Sequence, residues 1–183
     1  SSTVGLFDRR DLTRNADGTY TVATGGTLRQ SVGVCSAEPF SSQPVAAGCS
    51  GFQVGEDLIA TAGHCVSSAD CTSTRFVFGF RMDSASQART RVAGDDVYSC
   101  SQIVSRQVTG TSDYAVVRVD RPIVGHAPLA IRRSGKVATG QSLVLIGHPS
   151  GLPTKIAAGA TVRDNAPSAW FAANLDSYGG NSG

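Results

Sequence analysis

No segment of the chain sustains an apolar 3.6-residue period over ten or more residues, which removes helical bundles and α/β folds from consideration. Short runs rich in Val, Ile, Phe and Thr recur instead, over residues 50–54, 58–61, 75–80, 97–104, 113–119, 143–147, 155–163 and 169–175. They are separated by clusters of Gly, Ser, Asp and Pro, the residues that turn a chain between strands. No repeat at a fixed period of 20–50 residues accompanies them, so solenoids and propellers are also excluded. The chain is expected to be all-β, a sandwich or a barrel. Its 183 residues supply one domain or two small lobes with cores of their own. After residue 120 the sequence carries Pro122, Gly125, Pro128, Gly135 and Gly140, with the basic group Arg132, Arg133 and Lys136, as expected of a solvated connector between two lobes. The division expected is an N-terminal arm over 1–30 that packs across the second lobe, a first β-lobe over 31–120, and a connector with the second lobe over 121–183.

Charge narrows the partners. Lys and Arg number 16 against 14 Asp and Glu, a net charge of +2, without the concentrated positive field that nucleic acid or anionic membrane binding requires. The longest apolar stretches, such as residues 143–147, have the length of a strand rather than of a membrane span. The sequence begins at Ser1 without a basic-then-apolar leader, so any signal or pro-segment is expected to have been removed or to lie outside it. Five cysteines, at 35, 49, 65, 71 and 100, fit an oxidising compartment, and the protein is expected to be secreted and extracellular. Spacing alone leaves their pairing open. They include no C-x-x-C pair, and His64 and Cys65 are adjacent rather than at metal-ligand spacing, so neither a metal nor another cofactor is expected.

Three segments carry chemistry. Thr61-Ala62-Gly63-His64-Cys65 closes an apolar run, which puts His64 where a strand opens into a loop. Asp113 heads the run Asp113-Tyr114-Ala115-Val116-Val117, where a buried carboxylate can orient an imidazole through its Nδ1 proton. Gly179-Gly180-Asn181-Ser182-Gly183 flanks a serine with glycines, so the backbone can bend sharply and aim the N–H groups of Gly180 and Ser182 at one point. Each motif alone is weak, but they occur in the order His, Asp, Ser. That order excludes the α/β-hydrolase arrangement, with serine first, and the subtilisin arrangement, with Asp before His. His126 and His148 lie in Pro-flanked, loop-like contexts and are expected to be structural or exposed.

These segments resemble the trypsin/chymotrypsin superfamily, and within it the bacterial secreted branch that includes glutamyl endopeptidases. Cys49-Ser50-Gly51-Phe52 followed by Leu58-Ile59-Ala60-Thr61-Ala62-Gly63-His64-Cys65 matches the first-lobe hairpin of that family. Phe76-Val77-Phe78-Gly79-Phe80 and Ile146-Gly147-His148-Pro149 are also similar to strands of that branch. The resemblance implies two six-stranded Greek-key β-barrels, with His64 and Asp113 in the first and Ser182 in the second. It implies a serine endopeptidase acting on protein or peptide substrates through an acyl-enzyme. It implies a Cys49–Cys65 bridge bracing the His64 loop, to which we add Cys71–Cys100, leaving Cys35 unpaired or joined to another segment.

The sequence departs from the family in two places. Trypsin-type members carry Asp before the nucleophile, where it pairs with a newly cut N-terminal amine, and here that residue is Asn181. Family members also continue for several tens of residues past the serine, so the second barrel is expected to be incomplete in this chain and finished by a further C-terminal segment. Asp176, six residues before Ser182, occupies the offset at which trypsin-like enzymes place the acid that binds Arg or Lys before the scissile bond. Cleavage after basic residues is expected on that ground, against the glutamyl preference of the related branch. A silent protease-like binding module and a small-ester hydrolase are the rival functions.

Overall fold

The computed structural model describes residues 1–183. Six antiparallel strands close into a barrel: β1 (Thr3–Asp8), β4 (Cys49–Gln53), β5 (Leu58–Thr61), β6 (Thr74–Phe78), β8 (Val97–Val108) and β9 (Asp113–Val119), in the order β1-β4-β5-β9-β8-β6. Alternate side chains point inward, and Val4, Ile59, Phe76, Phe78, Tyr98 and Val117 fill the interior. Each apolar side chain of this size taken fully out of water contributes roughly 1.5–3 kcal/mol.

The expected N-terminal arm over the second lobe is not what forms. β1 lies between β4 and β6 and completes the first barrel. Its apolar residues are buried on both faces, Val4 and Leu6 in the barrel interior and Phe7 in a second cluster with Leu12, Val22, Val77, Phe80 and Val92. The second cluster lies beneath a small sheet of β2 (Leu12–Arg14), β3 (Tyr20–Val22) and β7 (Arg91–Val92). A single helical turn, α1 (Leu28–Val32), follows. Thr27 caps it by accepting the Gln30 N–H, while Gln30 Oε1 accepts the Thr27 N–H at 2.8 Å, a capping box that stabilises a helix with only one buried residue, Leu28.

The second lobe is an open sheet of β10 (Ser142–Gly147), β11 (Lys155–Asp164) and β12 (Ala172–Ala173). The strand expected over 169–175 shortens to β12. One face packs inward at Ala160 and Val162, whereas Val144, Ile146 and Ile156 stand exposed on the other, Ile146 and Ile156 as direct cross-strand neighbours. The connector over 121–141 contains no regular element and runs back along the first barrel, with Ile123 N–H donating to Glu56 O at 2.8 Å and Leu129 N–H to Gln53 O at 2.8 Å. Its basic group, Arg132, Arg133 and Lys136, is exposed as expected, and Lys136 Nζ also donates to the carbonyl oxygens of Asn165, Ala166 and Pro167 at 3.1, 3.1 and 2.7 Å, tying the connector to the β11–β12 loop.

Candidate active site

His64 sits in a single 3₁₀ turn, Gly63–Cys65, just past the end of β5. The turn packs tightly against the β8–β9 hairpin. A Cβ on residue 63 would lie 2.5 Å from Gln107 O and 2.8 Å from Tyr114 O, so glycine is required there. Arg106 clamps the turn from β8, its Nε donating to Gly63 O at 2.7 Å and Val66 O at 2.8 Å. The Cys49–Cys65 disulfide fastens the turn to β4, and Cys71–Cys100 forms the second bridge, with Cys35 free and exposed.

Asp113 opens β9 and faces that turn. Its Oδ1 accepts the backbone N–H of His64 at 2.9 Å, and its Oδ2 lies 2.6 Å from His64 Nδ1. With the proton on Nδ1 donated to Asp113, His64 Nε2 is left as a free acceptor. The hydrogen bond from the His64 ring, reinforced by the His64 N–H, holds the Asp113 carboxyl below its ordinary range. The burial expected of this carboxylate is not found. The Asp113 side chain is 40% exposed and that of His64 51%.

Ser182 approaches the same turn through its backbone. Its carbonyl accepts the Ser50 N–H of β4 at 2.7 Å and lies 3.8 Å from Cys65 Sγ. Its Oγ makes no hydrogen bond to His64 in this structure; pairs of this kind often tighten only with substrate bound. Gly180 adopts φ +73°, the left-handed region that favours glycine, and Ser150 braces Gly179 by donating both N–H and Oγ–H to its carbonyl at 2.8 and 3.0 Å. The N–H groups of Gly180 and Ser182 have no acceptor within the chain. They remain available to an incoming oxygen.

Asp176 is exposed and forms no ion pair. It lines a groove of about 560 Å³ with Glu38, Phe40, Lys155 and Tyr178. Lys155 is half-buried there, its Nζ donating to Pro153 O at 2.7 Å and lying 4.9 Å from the Phe40 ring centroid, and burial lowers its pKa to about 8. Sequence reasoning did not single out Lys155, Arg106 or Ser50. Arg106 and Ser50 act through contacts distant in sequence, and Lys155 meets the groove beside Phe40, so no local pattern marks any of them.

The other two histidines stand apart from this site. His126 stacks on Phe78 at 3.9 Å, with Nδ1 2.7 Å from Ser1 O and Nε2 3.1 Å from Asp96 Oδ1. His148 is buried beside Phe80 and donates Nδ1–H to Leu152 O at 3.0 Å. Cys49, His64 and Cys65 come within 4.8 Å of one another, but both sulfurs belong to the disulfide and offer no thiolate to a metal.

The family model described as a trypsin-like peptidase domain matches residues 49–183. Among solved structures, the inactive form of the Rv3671c protease of M. tuberculosis is similar over 100% of this chain and 68% of its own, at 16% identity and a TM-score of 0.52. Human heparin binding protein is similar over 75% of this chain and 68% of its own, at 16% identity and a TM-score of 0.54. The chain thus spans about two thirds of the length of these solved chains. No curated protein sequence matches it.

Proposed function

This chain belongs to the trypsin-like peptidase domain family, and from that premise we propose that it is a secreted serine endopeptidase with His64, Asp113 and Ser182 as its triad. The observation that carries the reading is the two-point hold of Asp113 on His64, through ring and backbone at once. That hold fixes the tautomer and leaves Nε2 free to act as a base. Five cysteines, four of them bridged, support the extracellular compartment.

In this reading Ser182 Oγ attacks a peptide carbonyl carbon while its proton passes to His64 Nε2. The negative charge that develops on the carbonyl oxygen is met by the N–H groups of Gly180 and Ser182, with Asp113 stabilising the imidazolium. His64 then returns the proton to the leaving amine as the C–N bond breaks, giving an acyl-enzyme. A water, deprotonated by the same Nε2, releases the acid and restores Ser182. The exposed apolar face of Val144, Ile146 and Ile156 supports a second part of the proposal, that further β-strands beyond this chain cover that face and complete the second barrel. A fluorophosphonate probe tests the triad. It should label Ser182, located by peptide mass, and unlabelled Ser182 in material with a completed second barrel would overturn the assignment.

Asp176 supports cleavage after Arg or Lys, since its unpaired carboxylate faces a groove beside the Ser182 turn. A second reading, cleavage after Glu, is favoured by Lys155 on the wall of the same groove. A peptide library separates them: Asp176→Ser should depress Arg and Lys cleavage, whereas cleavage after Glu that is lost in Lys155→Met would assign the pocket to Lys155.

A further inference from the structure

Ser50 is 2% exposed, yet all its polar atoms are bonded, and the bonds join segments far apart in sequence. Its N–H donates to Ser182 O at 2.7 Å, and its carbonyl accepts Thr61 Oγ1–H at 2.7 Å. Its Oγ accepts the His148 N–H at 2.8 Å and lies 2.8 Å from Asn181 Oδ1. A backbone N–H can only donate, so the Ser50 hydroxyl accepts there and its own proton is directed at Asn181 Oδ1. Gly147 makes the approach possible, because a Cβ on residue 147 would overlap Asn181 Oδ1 and stand 2.8 Å from Ser50 Oγ.

Asn181 carries no charge to pair with an amine. The turn that presents Gly180 and Ser182 is therefore held to the first barrel by neutral hydrogen bonds from one residue, at Asn181 and at Ser182.

We propose that Ser50 is a positioning residue whose hydroxyl latches Asn181, presetting the Gly180 to Ser182 turn so that its free N–H groups receive the oxyanion. The inference rests on the peptidase reading. Ser50 touches neither substrate nor Ser182 Oγ; it acts through Asn181 and the Ser182 carbonyl. A latch of this kind lowers the barrier to acylation and leaves ground-state binding alone.

The test uses the full chain in its active form, with Ser50→Ala, Asn181→Ala and the double variant. Each single variant should lower kcat by about tenfold or more with KM within about twofold, the scale of leaving one buried hydrogen-bonding group unpaired near the reacting centre. The second-order rate of fluorophosphonate labelling should fall by the same factor. The double variant should be no slower than the worse single one, since both remove the Ser50–Asn181 bond, Ser50→Ala in addition leaving the His148 N–H without its acceptor. A Ser50→Ala protein that loses only melting temperature while kcat and labelling rate are unchanged would reduce Ser50 to a structural role and overturn the proposal. If Ser50→Ala does not fold, Asn181→Ala decides alone, and unchanged kcat there overturns it equally. Failure of the unaltered protein to label would overturn the triad assignment instead, a distinct outcome.

Discussion

Arg106 spans the turn that carries His64, its Nε donating at once to the carbonyl oxygens of Gly63 and Val66, 2.7 and 2.8 Å away. A charged donor shared by two backbone carbonyls contributes on the order of 1.5–3 kcal/mol. It does so across a hairpin 40 residues away in sequence. Arg106→Leu is therefore expected to lower both melting temperature and kcat/KM, the latter by about tenfold, because the His64 ring loses its fixed relation to Asp113. Arg106→Lys should not restore it, since an ammonium on a flexible stem lacks the planar geometry. Thermal unfolding alongside peptide hydrolysis checks this, and an Arg106→Leu protein with unchanged kcat/KM would show that the turn holds without the clamp.

Ser182→Ala should abolish peptide hydrolysis and leave stability within about 0.5 kcal/mol. The side chain is partly exposed and its Oγ has no partner in the chain, while the anchoring bond from Ser50 runs to the carbonyl, which alanine retains. Hydrolysis rate and denaturant midpoint measured on the same preparation test both halves.

Breaking the Cys49–Cys65 bridge by Cys49→Ala with Cys65→Ala should cost about 3 kcal/mol on the chain-entropy estimate for a loop of its size, 16 residues apart. The loss should extend to function, because the bridge ties the His64 turn to the strand that bears Ser50. Urea unfolding gives the first quantity and kcat the second. Peptide mapping without reductant should recover Cys49 with Cys65 and Cys71 with Cys100.

The boundaries of β5 and β9 were readable because each alternates buried and exposed positions between polar turns, and His64 and Asp113 sit just outside or at the ends of those strands. β1 was not readable. Its apolar residues face two different cores, so no period-two pattern distinguishes it from an irregular arm. α1 escaped because five residues are too few to display a helical period, and its evidence is the Thr27 and Gln30 cap alone. At the site, residue types in chain order pointed to His64, Asp113 and Ser182, but the exposure of Asp113 was not foreseeable from its local sequence. Arg106 and Ser50 were illegible for a different reason: their roles depend on which backbone carbonyls and amides the barrel brings beside them.

His148 predicts the acid limit of the fold. The residue is 1% exposed, its Nδ1–H goes to Leu152 O, and its Nε2 finds no partner. Burial, with a smaller contribution from the positive charge of Lys155, lowers its pKa from 6.5 to about 4. Between those values the unfolded chain binds a proton that the folded chain refuses, so unfolding free energy rises with pH across that window. The stabilisation is complete above pH 6.5 and is lost as pH falls toward 4, by on the order of 3 kcal/mol in all. The carboxylates held low by partners, Asp113 and Asp17 among them, act in a lower window, below their ordinary 3.8. His148→Asn offers a comparison, since its amide can still donate toward Leu152 O but does not titrate. Urea unfolding at intervals from pH 4.5 to 7 should give a steep dependence for the unaltered protein and a flatter one for His148→Asn, with the two differing most in slope between pH 6.5 and 4.5. His64 and His126 are common to both proteins and cancel in that difference. Parallel curves would mean that the buried ring is not the group that the acid reaches.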